Sequence, residues 1–139
     1  METRMEATSV ALVQLCVDDR LDHNKIRAQV VEKMRDVYLR ADRVFLLNEL
    51  GGNLGKNFRN TLELFQDGGA HIVFCAILHH DDCAADRAGC RLPMEQTVAE
   101  LHHYLAEKGV GAPVYTANIR TSDSSVEWSS TPSHLPKAA

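Results

Sequence analysis

The segment HIVFCAILHHDDC, residues 71–83, decides the fold. Its first eight residues are almost wholly apolar, which is too continuous for a strand with one wet face and too short for a membrane span. A strand over 71–78, buried on both faces, is therefore predicted, and such a strand requires helices on both sides of its sheet. The last five residues turn abruptly to His79, His80, Asp81, Asp82 and Cys83. In open parallel sheets ligands bind beyond the carboxyl ends of the strands, so the chemistry is expected where this run stops.

Working outward, the same alternation recurs. VALVQLCV (10–17) and RVFLL (43–47) read as further buried strands, and 113–119 as a fourth, whose Pro113 marks either an edge position or a strand start. Between the first two strands, Ile26, Val30, Met34 and Val37 fall at helical spacing in a helix over 24–40, capped by His23 or Asn24. Phe58, Leu62 and Phe65 give a second helix over 57–66, stopped by Gly68 and Gly69. Val98, Leu101 and Leu105 give a third, from Pro93 to about Lys108, with Gly109 beyond it. Residues 79–91 read as a polar loop, and the Ser/Thr/Pro-rich stretch from Thr121 as loosely held, with Val126 and Trp128 able to dock.

Strands alternating with helices at this spacing predict an α/β fold: a three-layer, mostly parallel sheet of order 2-1-3-4, with right-handed crossovers and helices on its faces. One domain over 1–128 and a flexible tail at 129–139 are expected. The chain's 139 residues exclude a large barrel or two catalytic domains. Its opening, METRMEATS, has no apolar segment behind its charges, so no signal peptide and a cytoplasmic location are expected. Scattered basic residues and a net charge of -4 argue against a nucleic-acid partner, and the lack of a long apolar run against a membrane.

The four cysteines of a cytoplasmic chain with a full core are better suspects for metal binding or catalysis than for disulfides. The first strand ends in Cys16-Val17-Asp18-Asp19-Arg20 and the third in His79-His80-Asp81-Asp82-Cys83. If these strands are neighbours, Cys16, His80 and Cys83 converge. Two thiolates and an imidazole suit Zn²⁺ and leave its fourth tetrahedral position for water or substrate. Cys75 reads as a core residue. Cys90 is an alternative fourth ligand that would close the site. His79 reads as a proton relay or a solvated loop residue, His102 and His103 as surface groups, Asp82 as a loop support, and Asp19, Asp81 and Asp86 as solvated charges.

CxDxR (Cys16, Asp18, Arg20) followed by HxxC (His80, Cys83) resembles the zinc site of the β-class carbonic anhydrases. The resemblance spans roughly residues 10–83, and the order of elements continues compatibly to about Val126. It implies Cys16, His80 and Cys83 as zinc ligands and Asp18 with Arg20 as a catalytic dyad. It also implies reversible hydration of carbon dioxide to bicarbonate by a zinc-bound hydroxide, and a homodimer or higher homo-oligomer whose cleft lies between subunits. Zinc lowers the pKa of bound water from 15.7 toward about 7. Arg20 would hold Asp18 ionised, and an Asp18 released from Arg20 would become the fourth ligand and shut the site. The chain departs from the family where glycines flank the HxxC motif, holding His79 and Ala84 instead, and after the second strand, where Asn48-Glu49-Leu50-Gly51-Gly52 stands. Two alternatives keep the scaffold: hydrolysis of carbon disulfide or carbonyl sulfide at the same zinc, or a catalytically silent metal-binding or regulatory protein.

Overall fold

The computed structural model describes residues 8–129. Strand β1 (Ser9–Cys16) is followed by α1 (His23–Asp36), β2 (Arg43–Glu49), a single 3₁₀ turn (Leu50–Gly52) and α2 (Lys56–Asp67). Next come β3 (His71–His80), a four-residue helix α3 (Ala84–Arg87), α4 (Met94–Glu107), β4 (Val114–Arg120) and β5 (Ser125–Trp128). The sheet order is β2-β1-β3-β4-β5, with every pairing parallel except the antiparallel β4–β5 edge. The expected order 2-1-3-4 is present, with one strand added.

Alternation along the two central strands explains their unbroken apolar sequence. Val10 and Leu12 of β1, with Cys75 and Ile77 of β3, pack under α2 and α4. Ala11, Val13 and Leu15, with Phe74, Ala76 and Leu78, pack under α1. Each strand therefore has two dry faces, and the molecule has three layers. Helix α1 contributes Ile26, Val30 and Met34, one residue per turn. Its N-cap is Asp22, just before the expected His23 or Asn24, and the Asp22 carboxylate accepts from the Lys25 N–H at 3.1 Å. The helix stops at Asp36, short of the expected residue 40.

Two further expectations change, and one that was left open is settled. Pro113 lies just before an interior strand, so it marks a start and not an edge; its carbonyl accepts from the Cys75 N–H at 3.0 Å. The stretch after Thr121 is not loose up to Trp128: β5 pairs with β4 and closes that edge of the sheet. Gln29 of α1 holds it, accepting from the Val126 N–H at 2.8 Å and donating to the Ser124 carbonyl at 2.8 Å. Trp128 meets Phe74 edge-on, and Phe74 stacks on Tyr115. The expected flexible tail lies, beyond Ser129, outside the described residues. Finally, His102 is buried rather than superficial, because α4 buries a wide arc that also takes in Thr97, Val98, Leu101, Tyr104 and Leu105. No helix among the described residues is long and apolar enough to cross a membrane.

Candidate metal centre

Parallel pairing of β1 with β3 sets Leu15 beside Leu78, so Cys16, which ends β1, and His79 and His80, which end β3, lie at the same end of the sheet. The Leu50–Gly52 turn after β2 closes over that end. Gly51 and Gly52 both have left-handed backbones. A Cβ at Gly52 would stand 3.2 Å from the Leu78 carbonyl and 3.6 Å from the Cys16 N, so this close approach requires glycine. A Cβ at Gly51 would press on Arg91, which donates to the His80 carbonyl at 3.1 Å.

The ligand atoms of Cys16, His80 and Cys83 lie within 4.8 Å of one another, the one such group among the described residues. All three residues are buried, and the two Sγ atoms are 3.8 Å apart. The His80 Nδ1 faces the Asp81 carbonyl at 2.8 Å and the Thr121 Oγ1 at 3.2 Å. A carbonyl only accepts, so Nδ1 carries the proton and Nε2 presents its lone pair. That Nε2 is buried without a hydrogen-bond partner, while two sulfur atoms lie within a few ångströms of it. A buried lone pair left unmatched beside two thiols is the donor set of a metal site, and its partnered Nδ1 is the usual second anchor of a ligating histidine. The residues therefore fit Zn²⁺. Burial, first of all, pushes the Cys16 thiol up, so it stays protonated until a cation replaces the proton.

Asp18 lies beside this group, its Oδ2 3.7 Å from the His80 Nε2. Arg20 donates to it through Nε at 3.0 Å and Nη2 at 2.7 Å. These charge-assisted bonds, more than any other contact, lower the Asp18 carboxyl to about 2, so it is an ionised, acceptor-only group at neutral pH. Arg20 also donates to Asp82, through Nη1 to Oδ2 at 2.8 Å and through Nη2 to the backbone carbonyl at 2.9 Å. An open depression lined by Arg20, Asp81, Asp82, Thr121 and Ser122 adjoins these groups.

The expected site residues thus meet at one place, while several neighbours differ from expectation. Cys90 is exposed and outside the ligand group. Cys75 is the core residue expected, fully buried, its thiol pushed up to about 12 by burial. His79 is neither a solvated loop residue nor placed for a relay: β3 runs on through it, it is 8% exposed, and burial above all lowers it to about 4. Asp81 is not simply solvated, since it accepts from the Thr121 N–H at 2.6 Å. Asp86 pairs with Arg91 at 3.1 Å. Thr121, Arg91 and the contact of Asp82 with Arg20 were missed in the sequence. The one available signal was that Thr121 follows the fourth strand, at the same functional end as the others.

No family model matches the chain, and no curated protein sequence does either. Solved structures do. A carbonic anhydrase from Streptococcus mutans superposes with a TM-score of 0.59 at 14% identity, covering 92% of this chain and 86% of that one. Tetrameric β-carbonic anhydrases from Sordaria macrospora match with a TM-score of 0.48 at 10% identity, over 92% and 84% of the two chains. The apo form of a carbon disulfide hydrolase matches with a TM-score of 0.42 at 10% identity, over 84% and 76%. The resemblance drawn from CxDxR and HxxC thereby meets an independent likeness of fold: the chain has the fold of the Streptococcus mutans carbonic anhydrase.

Proposed function

We propose that the chain is a zinc enzyme that interconverts carbon dioxide and bicarbonate. The observation that carries this reading is the convergence of Cys16, His80 and Cys83 around an unpartnered His80 Nε2, with the ionised Asp18 3.7 Å from that atom. Cys16, His80 and Cys83 would hold Zn²⁺, which supplies a Lewis acid able to acidify water near neutral pH. Asp18 accepts a hydrogen bond from a water in the site and so fixes the direction of its lone pair. Arg20 keeps Asp18 anionic and aimed.

The chain works as a homo-oligomer in the cytoplasm under this reading. Strand β2 supports the first point: it is a sheet edge, and its apolar residues Val44, Phe45, Leu46 and Leu47 are only half-buried. The test is stopped-flow carbon dioxide hydration by purified protein whose metal content has been measured. Stoichiometric zinc with hydration above buffer is expected, and Asp18→Asn should keep the metal while losing turnover. Full zinc with no hydration above buffer overturns the proposal in favour of a silent metal-binding protein.

A further inference from the structure

We propose that Asp82 is a positioning residue that clamps Arg20 against Asp18 and thereby keeps the Asp18 carboxylate away from the metal position. The inference rests on the metal site proposed above. Arg20 is held from two sides: its Nε and Nη2 bond both oxygens of Asp18, while Nη1 and Nη2 bond the carboxylate and the backbone carbonyl of Asp82. The Arg20 and Asp82 side chains are 44% and 59% exposed. An isolated pair that open contributes little, but charges joined in a network with bidentate geometry are the recognised exception. One of the four acceptors is a backbone carbonyl, which has no side-chain freedom to lose.

Asp82 is itself braced. Its second carboxylate oxygen pairs with Arg87 of α3, and its backbone is left-handed at φ 51°, a region that aspartate tolerates better than most residues. It lies between His80 and Cys83, so the clamp ties the β1 motif to the segment carrying two of the three candidate ligands. The consequence follows from distance. Asp18 Oδ2, which accepts from the Arg20 Nη2, is 3.7 Å from the His80 Nε2. Carboxylate oxygens are ordinary zinc ligands, so an Asp18 no longer held by Arg20 would compete for the open coordination position. Among the described residues, Arg20 has one acidic partner other than Asp18, and that partner is Asp82.

The experiment loads the full chain with Co²⁺ in place of zinc and titrates thiocyanate, following the visible d–d absorption while metal content is measured separately. Asp82→Ala should keep full cobalt and bind thiocyanate about tenfold more weakly, or ~1.4 kcal/mol. Asp82→Asn, which keeps a neutral acceptor, should fall between. The double variant Asp18→Asn with Asp82→Ala should recover wild-type thiocyanate affinity, because the competing carboxylate is gone. A residue that merely braces its loop would not be rescued in this way. Full cobalt with unchanged thiocyanate affinity in Asp82→Ala overturns the clamp, and so does loss of cobalt in both Asp82 variants. A wild-type chain that takes up no cobalt with thiolate-to-metal absorption overturns the metal site itself, a result distinct from the other two.

Discussion

The interior of β3 and its C-terminal end share a strand and a degree of burial but obey different rules. From Phe74 to Leu78 every side chain is fully buried among apolar neighbours, and Cys75 is there a small hydrophobe whose thiol burial keeps neutral. From His79 to Cys83 burial continues at His79, His80 and Cys83, yet the Nε2 atoms of both histidines lack partners. A folded protein leaves few buried polar atoms unmatched, because each costs roughly 1–3 kcal/mol. The interior is thus complete as it stands. The end is not, and under the proposed reading the partner missing at His80 is a cation.

Substitutions in the two regions should separate stability from metal binding. The largest effect is expected at Cys83→Ser: zinc affinity should fall by more than about a hundredfold, the upper end of what is lost when only an outer partner of a ligand is changed. Competition against a chromophoric chelator would measure it, and an unchanged affinity would remove Cys83 from the ligand set. In the interior, Phe74→Ala should cost about 3–5 kcal/mol of unfolding free energy in urea titration, since it removes the ring that stacks on Tyr115 and meets Trp128. Refolded protein should still bind one zinc. Cys75→Ser is the sharper control, eight positions before Cys83: a buried hydroxyl should destabilise by about 1–3 kcal/mol with zinc affinity retained. If Cys75→Ser weakened zinc binding as Cys83→Ser does, the division between interior and end would fail.

The parts of this arrangement that could be read in the sequence are those written in local patterns. Strands β1 to β4 and helices α1, α2 and α4 declare themselves by unbroken apolar runs or by spacing such as Ile26, Val30 and Met34. The candidate ligand set was legible because His80 and Cys83 are three residues apart and one inference, that β1 lies beside β3, adds Cys16. What escaped depends on partners distant in the chain. Strand β5 has four residues, among them Ser125 and Glu127, and is held by Gln29 and Phe74 rather than by its own propensity. The Asp82–Arg20 pair joins residues 62 positions apart, and the Thr121 contact to His80 joins residues 41 apart. The two-residue extension of β3 through His80 escaped because a histidine pair reads as polar, whereas strand pairing to Asn118 and Ile119 of β4 carries it into the interior.

That extension sets up the smallest of the expected effects. His79 is lowered to about 4, chiefly by burial, with the charge of Arg91 and the neighbouring His80 acting the same way and Asp86 opposing them. An unfolded chain protonates this side chain near pH 6.5, so below that pH the unfolded state binds more protons than the folded one. Stability associated with neutral His79 is therefore complete above about pH 6.5, falls as pH drops toward about 4, and changes no further below it. Between pH 6.5 and 5.5 the loss should be about 1 kcal/mol. Urea unfolding of the metal-free chain at a series of pH values, beside His79→Leu, isolates it: the wild type should lose that much more than the variant over the same interval. Parallel pH profiles for the two proteins would show that His79 is solvated in the folded chain, and would move the boundary between the dry strand and its functional end back to Leu78.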